Sequence, residues 1–178
     1  METRECVEVH ECCVVPYRQT QLGTEFCLVT PVSENRWEFP KISLQADTAP
    51  RQLLNEAAIL GGLKGHIDAD SLGDFVAKRG NESRSMVGYL MQVTDVSDVW
   101  PRQKTHKRLW CLAEECRIRI RRKPLRQFID LALREVAARA QSLSAPGQIN
   151  GNGHSNGNGH TNGNGHSNGN GHSHGTHS

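Results

Sequence analysis

Leu54-Asn-Glu-Ala-Ala-Ile-Leu-Gly-Gly-Leu63, together with Arg36-Trp-Glu-Phe-Pro-Lys41 upstream of it, decides how this chain is read. The first stretch continues a segment that begins at Pro50, a residue suited to a first helical turn because its φ is preset and its missing N–H is not needed there. A helix is expected over 50–60, closed by Gly61-Gly62. The second stretch reads as a short strand over 36–39, ended by Pro40. Within the helix, Glu56 is followed three and four residues later by Ile59 and Leu60, so these three positions share one face.

These two stretches resemble the Nudix hydrolases, whose box reads Gly-x5-Glu-x7-Arg-Glu-U-x-Glu-Glu-x-Gly-U, with U an aliphatic residue. The likeness extends to Val14-Val-Pro-Tyr-Arg18 and Phe26-Cys-Leu-Val-Thr-Pro31 before the box. Val99-Trp-Pro and Arg108-Leu-Trp110, with the basic turn and helix after them, are similar to the end of a diphosphoinositol or diadenosine polyphosphate hydrolase. The resemblance implies an α/β/α sandwich around a mixed sheet, and a helix whose three carboxylates converge on Mg2+ or Mn2+. Such ions take oxygen ligands, polarise a pyrophosphate and activate water.

Here the box is degenerate. Glu56 stands at its first helical Glu, but the following pair is Ile59 and Leu60, and Asn55 replaces the preceding Arg. The upstream loop is one residue short, Ile42 occupies the place of the Gly, Asp47 approximates the loop carboxylate, and Arg102 follows Trp-Pro where a Glu is frequent. Metal ligands implied by the resemblance are therefore Glu56 and Asp47, with Glu56 also the catalytic candidate. The alternative for Glu56 is a solvated helix carboxylate. Aliphatic residues at 59 and 60 lead to the expectation that this helix face is covered by protein.

The remaining elements follow from periodicity. Strands are expected over 6–17 and 25–30 with a turn between them at 19–23, then near 65–67, 72–78 and 85–93. A short helix is expected over 112–119. Leu125, Phe128, Ile129, Ala132, Leu133, Val136 and Ala140 fall at helical spacing behind Pro124 and require a sheet or helix to cover them. Residues 5–142 thus form one domain.

At 178 residues, 36% hydrophobic and 22% charged, the chain suits one such core plus an unstructured segment. No stretch approaches the ~20 apolar residues of a membrane span, and no apolar run follows the start, so a cytoplasmic protein is expected. Six cysteines without CxxC pairs, most of them in apolar runs, read as buried free thiols. Trp37, Trp100 and Trp110 read as packing residues.

A net charge of +2 conceals a basic segment from Arg102 to Lys123. In it, Arg117, Arg119, Arg121, Arg122 and Lys123 are candidate phosphate-binding residues, the alternative being a solvated basic face. Nucleic acid is the weaker reading, for want of interleaved aromatics. From Asn150 the unit Asn-Gly-Asn-Gly-His-Ser/Thr recurs, placing His154, His160, His166 and His172 in series. With no apolar or charged residue there, residues 145–178 are expected to be a disordered low-complexity tail. Its imidazoles are capable of weak metal chelation.

Two functions follow from these residues. One is a divergent Nudix hydrolase of a nucleoside diphosphate derivative or related pyrophosphate, dependent on Mg2+ or Mn2+ and impaired by the loss of two box glutamates. The other is a non-catalytic module that uses the same fold to bind a phosphorylated small molecule or a protein partner, with a homodimer also open.

Overall fold

The computed structural model describes residues 7–44, 48–79 and 82–144. All of them belong to one unit, Met1–Ala145. The expected tail, the histidines in it, Cys6 and Asp47 lie outside the described residues.

β1 (Val7–Thr20) is the spine of the sheet. Its residues from Glu11 to Tyr17 are all buried, because the strand has neighbours on both edges and helices over both faces. A turn at 21–22 folds it onto β2 (Gly23–Pro31), the expected hairpin. β3 (Lys41–Ser43) pairs with β1 further back. α1 (Pro50–Leu60) is followed by β4 (Leu63–Ile67), β5 (Gly73–Arg79) and the long β6 (Glu82–Val96). β7 (His106–Leu112), α2 (Ala113–Arg119) and α3 (Lys123–Ser144) complete the unit.

The sheet has seven strands in the order β4-β6-β1-β2-β7, with β3 also on β1 and β5 also on β6. Among the described residues only β1 and β6 run parallel, through eleven paired positions from Val7↔Glu82 to Tyr17↔Gln92; the other described pairs are antiparallel. It is the expected mixed sheet with helices on both faces.

The alternation of β1 divides the core. Cys12 and Val14 face α1, where Leu53, Leu54, Ala57 and Ala58 meet them. Cys13, Val15 and Tyr17 face α2 and α3, where Cys116, Leu125, Phe128, Ile129, Ala132 and Val136 cover them. Fully burying a side chain such as Phe128 or Ile129 contributes ~1.5–3 kcal/mol, so the long C-terminal helix is held by its apolar stripe. Gly88 allows this close seating: a Cβ there would lie 2.4 Å from the Phe128 ring. Five cysteines, Cys12, Cys13, Cys27, Cys111 and Cys116, are buried and free. Burial raises the thiol pKa of Cys12 to about 11 and of Cys27 to about 12.

Three expectations need correction. The strand expected over 36–39 is a single bridge between Glu38 and Val29, and regular pairing begins only after Pro40, at Lys41. β7 is not expected as a strand from the sequence, because it opens with His106-Lys-Arg108 and only Leu109 and Cys111 supply its apolar face, yet it closes one edge by pairing with β2. The face of α1 carrying Ile59 is not covered by protein, since Ile59 is 54% exposed. The buried stripe of α1 is Leu53, Leu54, Ala57 and Ala58, and residue 59 falls beyond its edge.

Candidate functional site

Two hollows adjoin across a row of cations. The first, a cleft of about 260 Å³, lies between the last turn of α1 and its cap (Ala57, Leu60, Gly61), the segment from Arg36 to Lys41, the loop bearing Trp100 and Arg102, and His106 at the start of β7. The second, of about 500 Å³, lies under the start of α3, floored by Phe75, Met86, Leu125 and Phe128. Arg36, Arg84 and Arg122 line both.

Each cation is placed by its element. Lys41 opposes Cys13 across the β1/β3 ladder and Arg84 opposes Val9 across β1/β6, so both side chains stand on the same face of the sheet as Glu11. Glu38 is fixed by reciprocal backbone hydrogen bonds with Val29, at 2.9 and 3.0 Å. Arg122 comes from the short connection between α2 and α3.

Glu11 is 6% exposed. Its Oε1 lies 3.3 Å from Lys41 Nζ and 3.9 Å from Arg84 Nη1. Lys41 Nζ also lies 2.9 Å from Glu38 Oε2. The other oxygen of Glu38 is 3.4 Å from Arg122 Nε and 3.9 Å from Arg36 Nε. Glu11 Oε2 and Glu38 Oε1 are both buried and have no hydrogen-bond partner. A buried carboxylate oxygen left without a donor is costly, and a ligand that brings N–H or O–H groups relieves that cost.

Charge in the cleft favours anions. Arg36, Lys41, Arg84, Arg102 and Arg122 line it against Glu34 and Glu38. His106 adds a titratable group whose pKa lies below its ordinary 6.5, chiefly because burial disfavours the imidazolium and secondarily because Arg102 is near. Planar guanidiniums beside an ammonium are suited to phosphate oxygens.

The end of α1 is tied to this region by Arg108 of β7. Its guanidinium donates to the carbonyls of Gly61 (2.9 Å), Gly62 (3.3 Å) and Ser97 (3.1 Å) and lies 5.3 Å from the Trp100 ring centroid. Gly62 has φ +70, and a Cβ there would come within 2.6 Å of both Arg108 Nη1 and Trp100 Cβ, so glycine is required on both counts.

The solved structures most similar in shape include a NUDIX hydrolase from Nitrosomonas europaea, with a TM-score of 0.60 at 12% identity over 72% of this chain and 90% of that one. C. elegans Ap4A hydrolase has a TM-score of 0.56 at 16% identity, over 75% of this chain and 99% of that one. The chain has the Nudix fold. The E. coli ORF135 protein is similar as well, at a TM-score of 0.52 and 16% identity, over 78% and 95% of the two chains. No protein-family model and no curated protein sequence matches this chain.

The Nudix resemblance implies metal ligands on α1, and the donor set present there does not fit a pair of clustered divalent ions. Glu56 is exposed, Ile59 is largely exposed and Leu60 forms part of the cleft wall, so the carboxylate is followed by hydrocarbon at both helical neighbours. Magnesium takes oxygen ligands, which those two residues cannot supply. Among the described residues no three His, Cys, Asp or Glu side chains are grouped to hold a metal ion.

The basic candidates are separated by the fold. Arg122 reaches the cleft. Arg117 pairs with Glu114 and Asp130, and Arg119 pairs with Glu115 at 2.6 Å while lying 5.8 Å from the Trp37 ring centroid. Arg121 borders a surface hollow with Trp37 and Ile118, and Lys123 is exposed at the start of α3. Lys41, Arg84, Glu11 and Glu38 were missed as site residues. A clue was legible for Glu11, an acid inside a run of buried Cys and Val residues.

Proposed function

We propose that this chain binds a phosphorylated small molecule, a nucleoside diphosphate derivative or related pyrophosphate, and that its hydrolytic capacity is impaired. The observation that carries this reading is the row Arg36, Arg84 and Arg122 between the two hollows, with oxygens of Glu11 and Glu38 beside it that are buried and accept no hydrogen bond. Phosphates lie along the guanidiniums. A planar, N–H-bearing ring lies over Phe75, Met86 and Phe128 and donates to Glu11 Oε2.

A second reading, metal-dependent hydrolysis with Mg2+ or Mn2+ at Glu56 and Asp47, is favoured by one feature: Glu56 is exposed and unpaired among the described residues. Yet a loss of ~5 kcal/mol in transition-state stabilisation costs roughly 4,000-fold in rate, and two missing ligands reach that scale.

Calorimetric titration with ADP in chelator tests the first reading. Binding without metal that weakens at least ~10-fold in Glu11→Gln supports it, since that change removes the carboxylate acceptor of the N–H group. Binding that requires magnesium and collapses in Glu56→Gln would establish the second.

A further inference from the structure

Strand register joins a carboxylate to the apolar floor of the hollow under α3. Glu11 is the partner of Met86 across β1/β6, and Met86 is the partner of Phe75 across β5/β6, so the three side chains form one row on one face of the sheet. Phe128 of α3 closes the row, its ring edge-on to Phe75 at 4.7 Å between centroids. All four residues line the hollow of about 500 Å³. Two aromatic rings and a thioether offer polarisable surface to a flat ring.

The carboxylate decides what that ring must carry on its edge. Oε1 of Glu11 has Lys41 Nζ at 3.3 Å and Arg84 Nη1 at 3.9 Å, whereas Oε2 is buried and accepts no hydrogen bond. Glu82 also lines the hollow, but its Oε1 already accepts from Arg84 Nη2 at 2.9 Å. An ionised carboxylate only accepts, at about four lone-pair sites, so it matches an edge that bears N–H groups and opposes one that bears lone pairs. Adenine and cytosine offer an amino group beside accepting ring nitrogens, and uracil one N–H between two carbonyls. Guanine places two donors, N1–H and N2–H, side by side.

We infer that the base taken by the hollow under α3 is guanine, its N1–H and N2–H donating to Glu11 and its face against Phe75, Met86 and Phe128. This rests on the reading that the ligand's phosphates lie along Arg36, Arg84 and Arg122 and its ring over this floor. Glu11 is then the residue that sets base specificity. A guanine edge supplies the buried carboxylate with the donors it lacks, while an adenine ring supplies one and turns a lone pair toward the second oxygen. The discrimination is largest where the acceptor is buried, because water cannot replace the missing donor.

The test is calorimetric titration of the full chain in chelator with GDP, with ADP, with IDP, which lacks the 2-amino group, and with 1-methyl-GDP, which lacks N1–H. GDP is expected to bind at least ~10-fold tighter than ADP, the scale of one hydrogen bond to a charged group. IDP and 1-methyl-GDP each bind at least ~5-fold more weakly than GDP, and in Glu11→Gln the preference for GDP over ADP falls to within ~2-fold. The two analogues leave the protein unchanged, so they decide the matter even where the variant does not fold. Equal affinities for GDP and ADP, IDP binding as tightly as GDP, or a GDP preference that persists in folded Glu11→Gln overturns the inference while leaving the phosphate reading in place. Absence of binding by all four nucleotides overturns both.

Discussion

Arg108 donates to the Gly61 carbonyl at 2.9 Å and so carries a guanidinium from the edge strand β7 to the C-terminal end of α1. The end of a helix exposes unsatisfied carbonyls and partial negative charge, and a cation placed there satisfies both. With Gly62 and Ser97 as further acceptors, the half-buried guanidinium serves three carbonyls at once. Arg108→Met keeps much of the stem and removes every donor. It is expected to lower unfolding free energy by about 2 kcal/mol, measured by urea denaturation, and Arg108→Lys recovers only part because an ammonium lacks the planar fork.

Gly88 is a packing glycine. Its added Cβ would lie 2.4–2.7 Å from three atoms of the Phe128 ring, which is fully buried between β6 and α3. Gly88→Ala is expected to destabilise the protein by ~1–3 kcal/mol through overpacking. Gly88→Ala/Phe128→Leu recovers part of the loss, because the smaller side chain vacates the contested space. Additive losses in the double variant would place the cost elsewhere.

The basic residues differ in where the fold places them. Arg122 lines both hollows, whereas Arg119 is paired with Glu115 on the surface of α2. Arg122→Ala is expected to weaken ADP binding at least ~10-fold, the loss of one charge-assisted contact, while Arg119→Ala leaves it within ~2-fold. Titration calorimetry at two salt concentrations checks both, since the contribution of exposed charges declines with ionic strength.

His106 links stability to pH. Its folded pKa lies below 6.5, so the unfolded chain binds the imidazole proton more readily than the folded one. The stability it contributes is complete above 6.5 and is lost as pH falls from 6.5 toward the folded value. His106→Gln removes that dependence. Thermal melts at pH 7.5 and 5.5 should show a larger decrease for the wild type than for the variant.

Much of the fold was legible. The limits of α1 could be read from Pro50 and Gly61, and α3 from its apolar spacing, because both signals are local. β7 was invisible, since it is held by backbone pairing to β2 and its charged residues work individually, Arg108 at the end of α1 among them. The site was less legible. The resemblance drew attention to Glu56 and the run of basic residues after β7, of which Arg122 lines the cleft; Lys41 and Arg84 come from β3 and β6, brought together by register across β1, and Arg36 and Arg102 from the segments before β3 and β7. Ile59 stands where the resembled box has a carboxylate; only burial showed that it faces outward.

The most direct test of the central claim is release of phosphate or mononucleotide from nucleoside diphosphate derivatives, diadenosine polyphosphates and diphosphoinositol phosphates, with magnesium or manganese, comparing wild type and Glu56→Gln. The account predicts that neither protein exceeds the other on any substrate, while both bind ADP in chelator. Metal-dependent turnover by the wild type that disappears in Glu56→Gln would contradict it, and would mean that a reduced carboxylate set sustains hydrolysis on this fold.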